Sequence, residues 1–156
     1  MAGKKTLIAY YSYSGNTKDT AQKIQSIVGG DIFEITPSNP YPNSYNETVD
    51  IAKKEKSQNA KPELSKTCDI SDYDTIIVGT PVWWYTFASP IRTFLSNNDF
   101  SNKTIIPFCT HGGGGASSTY TDIKKLCPNS TVKEGYTSYG DSSKIEEIKK
   151  WLDNQL

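Results

Sequence analysis

The chain has 156 residues, a length that favours one domain with a core able to stand without disulfide staples. Its 17 Lys and Arg balance 17 Asp and Glu, spread evenly over both halves, so a nucleic-acid or anionic-membrane surface has no support. No uncharged apolar run approaches the ~20 residues of a membrane span.

Met1-Ala2-Gly3-Lys4-Lys5 leads directly into a β-rich run, Lys5–Tyr11, without an export-signal pattern, which makes the cytoplasm the expected compartment. Thr17–Val28 sets Ala21, Ile24 and Val28 on one helical face. A second strand is expected at Asp31–Ile35, followed by a loop at 36–44 marked by Pro37, Pro40 and Pro42. Ser44 with Glu47 forms a capping box for a helix to about Asn59, whose charged end Lys53-Lys54-Glu55-Lys56 reads as a solvated face. Asn59–Asp74 is a loop that Pro62 keeps out of helix. Thr75–Gly79 is the third strand. Ser89-Pro90 supplies an N-cap and a first-turn proline for a helix containing Ile91, Phe94 and Leu95. Thr104–Cys109 is the fourth strand, and Thr131–Tyr136 a weaker fifth. Thr119 with Asp122, and Ser143 with Glu146, read as capping boxes for the last two helices; the final one points Ile145, Ile148 and Leu152 inward beside Trp151.

Strands alternating with helices imply a doubly wound α/β domain whose parallel sheet has helices on both faces. Runs such as Leu7-Ile8-Ala9 and Ile76-Ile77-Val78 fit a sheet buried on both sides. Cys68, Cys109 and Cys127, with a single histidine, have neither zinc-ligand nor redox-pair spacing and read as reduced thiols.

In such sheets ligands bind beyond the carboxyl ends of the strands, and three loops there stand out. Ser12-Tyr13-Ser14-Gly15-Asn16-Thr17 follows the first strand and opens the first helix; its hydroxyls, its glycine and the helix N-terminus suit a phosphate. It matches neither GxxxxGK[ST] nor GxGxxG. A capped helix start is the plainer alternative. Thr80-Pro81-Val82-Trp83-Trp84-Tyr85 carries three consecutive aromatics, too many for one core face and suited to a planar ligand. Thr110-His111-Gly112-Gly113-Gly114-Gly115 carries four glycines whose entropy cost is sensible where backbone passes close to a flat ring. His111 is the sole histidine, a candidate for either a structural or a catalytic role.

These stretches resemble the flavodoxin family over nearly the whole chain. Ser12–Thr17 is similar to the family's [ST]-x-[ST]-G-x-T loop for the phosphate of flavin mononucleotide, FMN. Trp83-Trp84-Tyr85, the run 105–113 and Lys124-Lys125-Leu126-Cys127-Pro128 are similar to short bacterial members. The resemblance implies a flavodoxin-like single domain over 1–156, with a five-stranded parallel sheet in order 2-1-3-4-5. It implies FMN as cofactor, with Ser12, Ser14, Asn16 and Thr17 on the phosphate and the loops 80–85 and 110–115 at the isoalloxazine ring. The function expected is electron transfer to and from redox partner proteins. The alternative is an FMN-dependent NAD(P)H:quinone or azo-type reductase acting on a small acceptor. The chain's neutrality and its open glycine loop favour the reductase. Its short length, with no evident nicotinamide domain, favours the carrier.

Overall fold

The structure, a computed structural model, describes residues 5–155; the N-terminal reading rests on residues 1–4 and lies outside them. In chain order the elements are β1 (Thr6–Tyr10), α1 (Asn16–Val28), β2 (Asp31–Glu34), α2 (Tyr45–Ser57), β3 (Thr75–Trp83), β4 (Thr86–Phe87), α3 (Ser89–Asn97), β5 (Thr104–His111), α4 (Thr119–Leu126), β6 (Thr131–Val132), β7 (Tyr136–Tyr139) and α5 (Ile145–Gln155). The parallel sheet runs β2-β1-β3-β5-β6, with β7 also on β5 and β4 antiparallel on β3. With β6 and β7 taken as one interrupted strand, this is the expected order 2-1-3-4-5.

That fifth strand breaks for a reason visible in the register. Thr131 and Val132 pair with Thr104 and Ile105, whereas Tyr136 pairs with Phe108, so the outer strand carries one extra residue between the two stretches. Lys133-Glu134-Gly135 forms the resulting bulge. Gly135 belongs there because any Cβ would sit 2.3 Å from the Tyr120 ring.

Alternation along the strands divides the core in two. Ile8, Tyr10, Ile77, Ile106 and Phe108 pack against α1 and α5 through Ala21, Ile24, Ile148, Trp151 and Leu152. Leu7, Ala9, Ile76, Val78 and Ile105 face the other way, against Ile91, Phe94 and Leu95 of α3 and Ile123 of α4. The sheet is closed on both faces.

Several local expectations are corrected. Ser44 does cap α2, accepting from Glu47 N at 3.3 Å. By contrast Ala88 is the N-cap of α3, and Ser89 is its first helical residue. No side chain caps α4; Asp122, placed in a capping box by sequence, accepts from the Thr86 hydroxyl at 2.6 Å. Ser143 turns to α1 instead, accepting from Thr20 Oγ1 and from Lys23 Nζ. Ile145 is 39% exposed rather than inward, while Ile148, Trp151 and Leu152 are buried. The third strand also continues four residues past Gly79, which reshapes the loop expected at 80–85. Among the described residues no helix is long and apolar enough to cross a membrane.

Candidate functional site

The loop between β1 and α1 stays open to solvent at its tip and is anchored at its ends. Ser12 Oγ accepts from Gly15 N at 3.1 Å, and Gly15, at φ 100°, turns the chain into the helix without a side-chain cap. The first-turn amides and the positive end of the helix dipole are thereby left to an outside anion. Thr17 is almost wholly buried, its hydroxyl 2.8 Å from that of Thr110 on β5, which joins this loop to the start of the glycine loop. Ser14 is exposed and Asn16 half-buried. Tyr13 reaches away, donating to Pro42 O at 2.6 Å and lying 3.1 Å from the Thr48 hydroxyl of α2.

The aromatic segment is a hairpin. Val82 pairs with Phe87 and Trp83 with Thr86, leaving Trp84-Tyr85 as a two-residue turn with φ of 51° and 72°. Positive φ at both central residues is the type I′ signature, ordinarily filled by Asn-Gly. For L-residues each such conformation costs about 1–2 kcal/mol, and strain of this kind concentrates at ligand sites. Three bonds hold the tip. Trp84 Nε1 donates to Val49 O at 2.8 Å, Lys56 Nζ donates to Trp84 O, and Ser118 N donates to Tyr85 O at 2.9 Å. Lys53 and Lys56 lie over the Trp84 and Tyr85 rings at 5.3 and 5.4 Å, so this charged run partly covers the turn. Trp83 is packed beneath, edge-on to Tyr11, Tyr13 and Tyr41 at 5.0–5.8 Å. Burial pushes the Tyr11 and Tyr41 phenols far above their ordinary range, so this layer carries no charge from them at neutral pH.

In the glycine loop the ring of His111 is the organiser. Its Nδ1 accepts from Gly113 N at 3.0 Å and Gly115 N at 3.2 Å. Those two glycines take φ of 134° and 73°, turning their N–H groups inward. On its outer side the ring meets Tyr139 edge-on at 5.4 Å.

Between hairpin, α2 and glycine loop lies a cavity of about 320 Å³. Tyr13 borders it on the β1 side, Trp83, Trp84 and Tyr85 on the hairpin side, and His111, Gly112, Gly114 and Gly115 opposite. This is an apolar slot, aromatic along one wall and backbone-rich along the other, with an anion-ready helix end beside it. The flavodoxin family model matches residues 5–155. The chain belongs to the flavodoxin family. A flavoprotein of Lactobacillus acidophilus NCFM, crystallised in complex with FMN, is 30% identical over 96% of this chain and 99% of its own, with a TM-score of 0.76. A proposed flavoprotein of Bacteroides eggerthii DSM 20697 is 30% identical, covering 97% and 98% of the two chains, with a TM-score of 0.88. Oxidised flavodoxin 2 of Bacillus cereus, at 19% identity and a TM-score of 0.58 over 96% of this chain and 94% of its own, shares the fold. No curated protein matches the chain.

Within this flavodoxin-family domain the residues singled out from sequence fall into three groups. Tyr13, Val82, Trp83, Trp84, Tyr85, His111 and Gly112 border the cavity. Ser12, Ser14, Gly15 and Asn16 form the adjoining loop, and Gly113 faces Tyr139. Thr80, Pro81, Thr17 and Thr110 are held in the framework: the Thr80 hydroxyl donates to Pro81 O and accepts from Ala88 N, and Pro81 pairs with Thr110 across the sheet. Sequence reasoning missed the contribution of α2, whose Tyr45, Thr48, Val49 and Ala52 form one wall. Their i, i+3, i+4, i+7 spacing directly after the Ser44 cap was a signal available for it.

Proposed function

We propose that this domain binds FMN and works as an electron-transfer protein. The observation that carries the proposal is the adjacency of an uncapped, hydroxyl-rich helix start to an aromatic-and-glycine slot, linked through the Thr17–Thr110 hydroxyl pair. A phosphate and a flat heterocycle fit these two parts in that order. Ser12, Ser14, Asn16 and Thr17, with the amides of the first turn of α1, would hold the phosphate. The hairpin and the glycine loop would hold the ring, the first through aromatic faces and the second through backbone N–H groups. FMN supplies, when bound, one- and two-electron redox chemistry. The chain's part is to orient the ring and to keep water from its buried face; Tyr13 and Trp83, with Tyr11 and Tyr41 packed against Trp83, would do the second.

The test has two stages. FMN and riboflavin are titrated into the apo-protein, and FMN binding at least tenfold tighter is expected if the helix end takes the phosphate. The FMN-loaded protein is then mixed with NADPH or NADH and a quinone, with no other protein present. No turnover until a separate reductase is added supports the carrier. Turnover by the protein alone would reassign it to the quinone or azo-type reductases.

A further inference from the structure

We propose that His111 is a positioning residue: its Nδ1 latches the glycine loop in shape, and the ring thereby presents Nε2–H as a fixed, neutral donor at the cavity wall. Both groups bonded to Nδ1 are backbone N–H groups, which only donate. Nδ1 must therefore supply the lone pair, and the proton of the neutral ring sits on Nε2. The geometry is built around this choice. Gly113 and Gly115 occupy positive φ, where L side chains are strained, and that conformation aims both amides at one nitrogen. Gly112 and Gly114, by comparison, do not occupy positive φ.

The ring itself is held from behind. Tyr139 stands edge-on to it, and Gly140 N donates to His111 O at 2.8 Å, so side chain and backbone are both fixed to the outer strand. Among the described residues Nε2–H has no acceptor in the protein and the ring has no ion-pair partner. His111 borders the cavity, which suits a ligand offering a carbonyl or imine-type acceptor there. The identity of that ligand as FMN rests on the function proposed above; the latch does not.

Two isosteric substitutions separate the two nitrogens. In His111→Asn the amide oxygen stands near the position of Nδ1, so the latch is kept and the outer donor is lost. In His111→Gln the amide group reaches the position of Nε2, and the latch is lost. The readouts are the ¹⁵N spectrum of the imidazole in the unsubstituted apo-protein, amide exchange at Gly113 and Gly115, and FMN affinity. The expected results are an Nε2–H tautomer, slow exchange kept in His111→Asn, and exchange about tenfold faster in His111→Gln. FMN affinity is expected to fall in both variants, further in His111→Gln. An Nδ1–H tautomer, or equal exchange in His111→Gln and the unsubstituted protein, would overturn the latch whether or not FMN binds. A latch that behaves as expected with FMN affinity unchanged in both variants would overturn the positioning role. Failure of the unsubstituted protein to bind FMN would count against the proposed cofactor alone, because tautomer and exchange are read without it.

Discussion

The phosphate assignment is open to a pair of single substitutions whose effects on folding and on binding come apart. Thr17 and Thr110 share a buried hydroxyl contact of 2.8 Å. Thr17→Ala leaves Thr110 Oγ1 without it, at a cost of about 1–3 kcal/mol to the apo-protein. Ser14 is exposed at the loop tip, so Ser14→Ala is expected to leave stability within about 0.5 kcal/mol. Binding follows different arithmetic. A hydroxyl donated to a charged phosphate contributes about 1.5–3 kcal/mol, so Ser14→Ala should weaken FMN by roughly 10- to 100-fold. Riboflavin, which has no phosphate, should bind the Ser14→Ala variant as well as it binds the parent. Urea melts of the apo-proteins and fluorescence titrations with both flavins measure the two effects. Equal weakening of FMN and riboflavin by Ser14→Ala would show that this loop does not hold the phosphate. An unchanged urea midpoint for Thr17→Ala would show that the buried hydroxyl pair carries no stability.

The hairpin should divide in the same manner: Trp83→Ala, which removes the ring meeting Tyr11, Tyr13 and Tyr41, is expected to cost about 3 kcal/mol in a urea melt. Tyr85→Gly should move the two readouts in opposite directions. It relieves a residue at φ 72° and raises stability by up to about 1 kcal/mol, yet it strips a 64%-exposed ring from the cavity mouth and weakens FMN in titration. Gly79→Ala would place a Cβ 2.0 Å from Phe108 Cζ and should destabilise by about 1–3 kcal/mol, with Phe108→Leu restoring part of the loss in the double variant. In alkali, burial raises the Cys127 thiol to about 11, and the hydrogen bond to Asp31 raises the Tyr73 phenol to about 12. Both folded values lie above the unfolded ones, so their contribution is complete below about pH 9 and is lost as pH climbs through 11 to 12. Cys127→Ala should flatten the first part of that loss in urea midpoints taken from pH 8 to 12.

Much of this architecture is legible in residue pattern because burial and strand geometry agree. Ile76-Ile77-Val78 and Ile105-Ile106 are apolar on consecutive residues, as a strand covered on both faces permits, and each lies in the sheet as expected. Ser44 capped its helix because its hydroxyl had no competing partner. Ser143 had competitors, the Lys23 ammonium and the Thr20 hydroxyl of a helix more than a hundred residues away, and tertiary bonds displaced the local one. The hairpin escaped notice for a chemical reason. A type I′ turn announces itself through Asn-Gly, whereas here Trp84-Tyr85 is held at positive φ by Val49, Lys56 and Ser118, none of them near it in sequence. The three candidate loops were visible as composition. That His111 organises the glycines beside it was not, since nothing in the spacing tells which ring nitrogen faces the backbone.

The two long walls of the cavity differ in mechanical compliance. The hairpin prolongs the central strand of the sheet and is pinned at its tip from two sides, so it can yield little without disturbing β3. The opposite wall hangs from one imidazole, and at Gly112 and Gly114 a methyl group would meet nothing within 4 Å. Side chains added at those two positions would alter the lining of the slot while leaving the core and both latch bonds in place. Variation among related domains should accordingly collect on the glycine side, where a ligand's polar edge can be renegotiated residue by residue, while the aromatic side acts as the fixed jaw against which each new fit is made.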